Sequence, residues 1–395
     1  MTDAVRKFDV IVLGGGAAGL MCAATAGQRG RRVAVLEHNG QVGRKILISG
    51  GGRCNFTNLH CGPGNFISEN VHFAKSALAR HEPRHFLELV NRYGIAWHEK
   101  TLGQLFCDYS ARSILDMLLE ECARGDVQIA TNARGIEVEK AGGDFHVRCS
   151  DGEFAAEALV VATGGLSIPK MGATGFGYEL ARRFGMRVIE PRPALVPLVL
   201  GGEEARWTEL AGVAAAVEVR AEGAGRRVKF RDKMLVTHRG LSGPAILQAS
   251  SYWRPGEELL VDFAPGVDVL SELMTPQARR TETVFKQALR DVLPQRMSGF
   301  LAGEGRPEGW SNAALEACER RLHGWAFQPV KTEGFEKAEV TAGGVDTSEL
   351  NAKTMEARKA PGLFFVGEVV DVTGWLGGFN FQWAWASGVS AGQAV

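Results

Sequence analysis

The chain has no net charge. Its 395 residues carry 45 Lys+Arg against 45 Asp+Glu, so composition offers no overall basic field for nucleic acid or an anionic membrane. No apolar run approaches the ~18 residues that a bilayer-spanning helix needs. No small-residue cleavage site of a secretory leader is visible near the start. The seven cysteines, Cys22, Cys54, Cys61, Cys107, Cys122, Cys149 and Cys318, are odd in number and form no C-x-x-C pair. Together these absences argue against a disulfide framework and for a reducing, cytoplasmic setting. Internal repeats and low-complexity tracts are missing too. No histidine or cysteine cluster has metal-ligand spacing, so no metal is expected; His60, His72, His81 and His85 read as surface or helical residues.

What the chain has in abundance is glycine, 50 residues, gathered in short clusters between apolar runs. Such clusters suit phosphate loops and tight strand-to-helix turns. Val10 to Leu13 is an uninterrupted apolar run, the pattern of a parallel strand covered on both faces. Gly14-Gly15-Gly16-Ala17-Ala18-Gly19 follows at once, then an alanine-rich helix over 20–29 and a second strand over 33–36. In this spacing Gly14 permits the turn, Gly16 lets backbone approach a pyrophosphate, and Gly19 lets helix pack on strand. The amides at the helix start, around Ala17 and Ala18, are free to receive phosphate. Glu37 ends the second strand, about 20 residues onward, where a carboxylate binds a ribose diol and repels a 2′-phosphate. These are dinucleotide-binding elements, although the glycines alone do not separate NAD from FAD.

A polar, glycine-rich loop spans about 40–64. Within it Lys45 precedes Ser49, Gly50, Gly51 and Gly52, and then Arg53, Cys54 and Asn55. Successive glycine amides form anion-binding nests, and without Cβ atoms they can lie close against a flat ring. Arg53 and Asn55 either hold a substrate carbonyl or carboxylate, or tie the loop down. Cys54 has no partner at disulfide-oxidoreductase spacing. A further buried strand over 158–162 ends in Ala162-Thr163-Gly164-Gly165. Near the other end, a strand over 363–366 leads into Gly367, Glu368 and Asp371, a segment that looks like the closure over the far end of the same cofactor. Gly377-Gly378-Phe379-Asn380-Phe381 opens an apparent helix, whose N-terminal amides would favour negative charge on a reduced flavin pyrimidine. Trp375, Trp383 and Trp385 read as core.

These segments resemble a bacterial flavoprotein family that includes aminoacetone oxidase-like and bile-acid-reductase-like enzymes, many of them described as NAD(P)/FAD-dependent oxidoreductases. The resemblance runs through residues 14–19, Lys45 with 49–58, 162–165, 237–244, 341–345 and 367–388, nearly the whole chain. Its most specific pieces are the Ser-Gly-Gly-Gly-Arg-Cys-Asn loop and residues 375–384. It implies an α/β fold: a Rossmann-like FAD-binding domain of glutathione-reductase type, with an inserted β-rich domain and a small helical domain. FAD would lie extended, its ring at the domain junction. The loop and the 162–165 segment are more distantly similar to those of succinate dehydrogenase and fumarate reductase flavoproteins.

On this basis residues 1–190 are expected to form the first part of the FAD domain and 346–395 the second. The proline-rich segment 190–197 opens the insertion: β-rich over 191–268, with a return strand near 330–345, and helical over 269–329. Helices are also expected over 72–93 and 110–124. The expected activity is that of an FAD-dependent oxidoreductase passing hydride through flavin N5 to or from a small organic substrate. No second G-x-G-x-x-G follows a strand, which leaves NAD(P)H open as a diffusible co-substrate. An O2-using amine oxidase is one alternative. Another is an RNA-associated flavoprotein, for which balanced charge speaks against a nucleic-acid partner and a basic run, Arg226, Arg227, Lys229, Arg231 and Lys233, speaks in favour. His238, ahead of a Gly-Leu-Ser-Gly-Pro turn, is the acid–base candidate, with a structural role as the other reading. The residues leave the oligomeric state open.

Overall fold

The computed structural model describes residues 5–223 and 226–395, with the side chain of Arg226 outside the described part. The chain divides into two units. One runs to Arg192 and resumes at Val340; the other is Pro193–Glu339.

The first unit is built on a five-stranded parallel sheet in the order Leu363–Phe365, Ala158–Val161, Val10–Leu13, Val33–Leu36, Gln128–Ala130. Every residue of the three middle strands is buried, which is why they read as unbroken apolar runs rather than alternating ones. The two ends of the chain thus lie in one sheet: Leu159 pairs with Ile11 on one side and Leu363 on the other. Helix Ala17–Gly27 packs against the C-terminal helix Phe379–Gly392 at unusually short range. A Cβ on Gly388 would lie 2.6 Å from the carbonyl oxygen of Ala18, and one on Gly392 2.6 Å from that of Cys22. Glycine four residues apart therefore lets the two backbones touch.

Two local features depart from the sequence reading. The helix expected over 72–93 is two helices, Lys75–Arg80 and Pro83–Arg92. Pro83 lacks an N–H and opens the second one, and His85 Nδ1 accepts from the Glu82 amide at 3.0 Å to cap it. The loop over 40–64 contains a short helix, Arg44–Ile48, and a strand, Asn55–Asn58, paired with Gln104–Cys107.

The second unit carries a seven-stranded sheet, Trp325–Phe327, Leu259–Asp262, Ala214–Gly223, Arg226–Val236, Gly240–Ser242, Leu198–Val199 and Lys331–Thr332 in spatial order. Helices Glu282–Val292, Gln295–Glu304 and Asn312–Leu322 belong to the same unit. Trp207 is its aromatic centre, stacked 5.5 Å from Phe263 and lying 4.7 Å from Phe300 and 5.0 Å from Phe327. Phe300 sits on a helix and Phe327 on a strand, so helices and sheet share one core. The return strand is split: Lys331–Thr332 joins this sheet, whereas Val340–Val345 pairs with Val188–Ala194 in the first unit. Among the described residues no helix is long and apolar enough to cross a membrane.

Candidate functional site

The glycine turn after the first strand is held by contacts that tolerate no side chain. Gly14 has φ +107°, and a Cβ there would lie 2.5 Å from the carbonyl oxygen of Ala162. One on Gly19 would lie 2.0 Å from the oxygen of Gly14. Gly16, which precedes Ala17, Ala18 and the rest of the helix, has nothing within 4 Å of where its Cβ would be. No side chain caps this helix. An uncapped helix start beside clear space at Gly16 is an arrangement suited to a phosphate.

Glu37 is buried, and it ties this turn to the next loop. Its Oε2 accepts from the Gly15 amide at 2.8 Å, and its Oε1 accepts from the Asn39 backbone and side-chain nitrogens at 2.8 and 2.9 Å. Arg44 donates in turn to Asn39 Oδ1 at 2.7 Å. Carboxylate oxygens accept more than one bond each, so the acid that orients the loop keeps capacity for a diol. Asn39 carries no motif signal; Arg44 lies beside Lys45 in the basic, glycine-rich stretch, but neither was among the expected site residues.

Lys45 sits in a second network. Its Nζ donates to Glu368 Oε2 at 2.7 Å and to Ser167 Oγ at 2.6 Å. Ser167 Oγ and the Thr341 amide both donate to Glu368 Oε1 at 2.9 Å. Thr341 Oγ1 accepts from the amides of Leu166 and Ser167. Gly165 leaves room for this cluster, since a Cβ there would lie 2.5 Å from Thr341 Oγ1 and 2.7 Å from Glu368 Oε1. Four segments far apart in sequence thus meet at one ion pair. Ser167 and Thr341 were not among the expected binding residues; the pairing of two expected ones, Lys45 and Glu368, could not be read from spacing.

In the Ser49–Gly52 segment, Gly50, Gly51 and Gly52 all take positive φ, +57°, +66° and +84°. Three such residues in a row demand glycine. A Cβ on Gly51 would meet nothing within 4 Å. Arg53 is exposed, and its guanidinium has no hydrogen bond or ion pair among the described residues. Cys54 is fully buried, and burial pushes its thiol up to about 12, so it is a neutral packing residue at ordinary pH. Asn55, with its amide oriented to satisfy its neighbours, donates to the carbonyls of Thr57 and Leu105 and accepts from the Gly378 amide, each at 3.2 Å. Its geometry is that of a tie between the loop and the C-terminal helix.

The same helix is fastened elsewhere. Thr57 Oγ1 donates to Gln382 Oε1 at 2.6 Å, Asn58 Nδ2 to the Gly377 carbonyl at 2.9 Å, and Trp385 Nε1 to the Phe56 carbonyl at 2.8 Å. Asn380 closes the turn before it, bonded to the backbone of Gly374. Phe379 packs edge-on to Phe66, and Phe381 stacks on Trp385. Gly367 donates to Ser387 and accepts from Trp383. Asp371 is buried; its Oδ2 accepts from the Glu69 amide at 2.8 Å, and burial raises its carboxyl to about 6. Apart from His238, every expected site residue belongs to the first unit; His238 belongs to the second.

These residues fit a flavin nucleotide. The Gly16, Gly51 and Gly164 backbones border space that a Cβ would leave free of contact. The Thr163 hydroxyl is buried without a partner among the described residues, a state that costs stability unless a ligand satisfies it.

Residues 8–394 match the family model described as HI0933-like protein Rossmann domain. The chain belongs to this HI0933-like family. It is similar to a ribosomal RNA dihydrouridine synthase of Escherichia coli (strain K12), 48% identical over 98% of each chain. It is 42% identical to one of Haemophilus influenzae (strain ATCC 51907), again over 98% of each. A 3-dehydro-bile acid delta(4,6)-reductase of Clostridium scindens is 31% identical, over 97% of this chain and 98% of that one. Like its relatives, the chain is a flavin-dependent enzyme of oxidoreductase type with a Rossmann fold.

Two expectations are corrected by these relatives. The residues point to a small organic substrate, and balanced charge makes a nucleic-acid partner the less expected one. Relatives at 48% and 42% identity across nearly their whole length are named for a reaction on ribosomal RNA, which favours the RNA-associated alternative. The physical reason is that net charge sums over the whole surface, whereas a polyanion meets only one patch of it.

Proposed function

We propose that this chain reduces uridine to dihydrouridine in ribosomal RNA, with FAD as its flavin and NAD(P)H as a diffusible reductant. The carrying observation is identity of 48% over 98% of both chains with a protein named for that reaction. In the net change, uracil C5=C6 gains a hydride equivalent and a proton, and NAD(P)H becomes NAD(P)+. A bound flavin supplies two-electron transfer between the two. FAD rather than FMN is supported by the Gly14–Gly19 turn and Glu37, which serve an adenosine diphosphate that FMN lacks.

The chain's own residues then divide the work. The helix start at Ala17 and Ala18 receives pyrophosphate, and Glu37 takes the adenosine ribose. Gly50 to Gly52 and Ala162 to Gly165 offer bare backbone to the ring and its chain. Gly367, Glu368 and Asp371 border the ribityl portion, with Lys45 holding Glu368 in place. The start of the C-terminal helix, Gly378 to Phe381, favours negative charge on the reduced ring. Arg53, unpaired among the described residues, is a cation for an RNA phosphate or a uracil carbonyl, Asn55 positions the loop, and His238 is the candidate proton donor.

The test is spectroscopic. Purified protein is reduced anaerobically with NADH or NADPH and then mixed with unmodified ribosomal RNA. Bleaching by the nucleotide and recovery on adding RNA is the expected result. Recovery that needs O2 and ignores RNA would overturn the proposal.

A further inference from the structure

The inserted sheet presents a cationic face. Strands Ala214–Gly223 and Arg226–Val236 pair antiparallel and alternate strictly. Val217, Val219, Ala221, Val228, Phe230 and Met234 are buried, on the side that packs against helix Pro244–Ser250. Arg227, Lys229, Arg231 and Lys233 point the other way and are exposed, Arg227 at 86% of its side chain and Lys229 at 65%. Arg220 joins them from the neighbouring strand.

The acids on this face do not neutralise it. Glu222 meets Arg227 at 3.3 Å, and Glu218 is shared by Arg220 at 3.1 Å and Lys229 at 3.4 Å. Exposed pairs of this kind are weak and screened. Asp262, at the edge, is already bonded to His323 at 2.8 Å, with Arg220 at 3.7 Å. The Lys233 ammonium has no ion pair among the described residues. In register, Lys229 lies directly opposite Arg220 with Glu218 ion-paired to both, while Arg227 faces Glu222 and Arg231 faces Glu218. Arg220, Arg227, Lys229, Arg231 and Lys233 thus meet two acids on these strands, an excess of positive charge that a polyanion laid across the face would neutralise.

We propose that this strand face docks the phosphate backbone of RNA; the inference rests on the reading of the chain as an RNA-modifying enzyme. Side chains on one face of a strand recur every ~6.6 Å, comparable to the spacing of successive phosphates along an RNA strand. Four cations in line therefore meet consecutive phosphates. The contact is with backbone rather than bases, so it supplies affinity and orientation without sequence choice.

The experiment uses the full-length flavoprotein and a fluorescein-labelled ribosomal RNA stem-loop, with anisotropy titrations over a range of salt. The variant carries Arg227→Gln, Lys229→Gln, Arg231→Gln and Lys233→Gln, which keep side-chain length on exposed positions. A control carries Arg290→Gln and Lys337→Gln, exposed cations elsewhere in the same unit. Visible and far-UV spectra matching the wild type establish that both variants are folded and loaded. The expected result is affinity at least about tenfold weaker near 0.1 M salt, with the slope of log K against log salt shallower by about 2–3. The control should bind as the wild type does. Wild-type binding that the four substitutions leave unchanged overturns the docking face and leaves the RNA reading standing. No wild-type binding at low salt overturns the face as well; a dihydrouridine assay on the same preparation then decides whether the RNA reading falls with it.

Discussion

At the scale of single residues, the glycines of the first turn separate folding from binding. Gly19→Ala puts a methyl group 2.0 Å from a carbonyl oxygen, an overlap that costs about 1–3 kcal/mol. Gly16→Ala meets no protein atom within 4 Å, so apoprotein stability should stay within about 1 kcal/mol, while flavin retention falls. Urea unfolding of the apoprotein and flavin content after dialysis check both; equal flavin retention in Gly16→Ala would mean the space ahead of the helix holds no cofactor. Glu368→Ala removes the acceptor for Lys45, Ser167 and the Thr341 amide. A loss of about 1–3 kcal/mol is expected, and an unchanged urea midpoint would reduce that network to surface ornament.

His323 gives the second unit a pH dependence. Burial lowers its affinity for a proton, but hydrogen bonds to Glu319 and Asp262, and their charges, outweigh that and raise its pKa above the ordinary value. The folded form therefore holds the proton more tightly than the unfolded chain. That stabilisation is complete below the unfolded pKa of about 6.5 and disappears as pH rises through the folded value. His323→Gln should flatten the stability profile across that window; a profile as steep as the wild type's would assign the effect to another group. The sequence displayed His323 as an isolated histidine. Glu319 is one helical turn away, a pair that i,i+4 spacing allows, whereas Asp262 comes from position 262 and only the fold brings it in.

At the scale of elements, the packing of the first helix on the last is the feature most open to a mutational test. Gly388→Leu would push a side chain into the Ala18 carbonyl, 2.6 Å from where its Cβ must sit. The helices would part, the first turn would shift, and both thermal stability and flavin content should drop together. A Gly388→Leu protein that keeps its flavin and melts normally would contradict the close contact. Elements were legible where pattern and length agreed. Val10–Leu13, Val33–Leu36 and Ala158–Val161 announced themselves as apolar runs between glycine turns. The break before Pro83 carries its own signal in the sequence, since a proline opens helices. Arg44–Ile48 was not legible, because five residues are too few to show a helical period.

At the scale of the whole molecule, the division between Arg192 and Pro193 falls in the proline-rich segment 190–197, and the glycine motifs at both ends of the chain lie in one unit. The ion pair of Lys45 with Glu368 and the tie of Asn55 to Gly378 were not readable, since they join residues hundreds of positions apart. Charge misled most. The totals cancel, yet Arg227, Lys229, Arg231 and Lys233 share one strand face with only Glu218 and Glu222 among them on the paired strand. The run was visible in the sequence, but its alternation onto a single exposed face is a property of the sheet.

Nucleoside mass spectrometry of ribosomal RNA decides whether the substrate is RNA. Unmodified ribosomal RNA is incubated with the purified protein, FAD and NADPH, then digested and analysed. Dihydrouridine that appears only when enzyme and reductant are both present is the predicted result. Ribosomal RNA that stays free of dihydrouridine, with a flavin that is fully bound and reduced, would contradict the account.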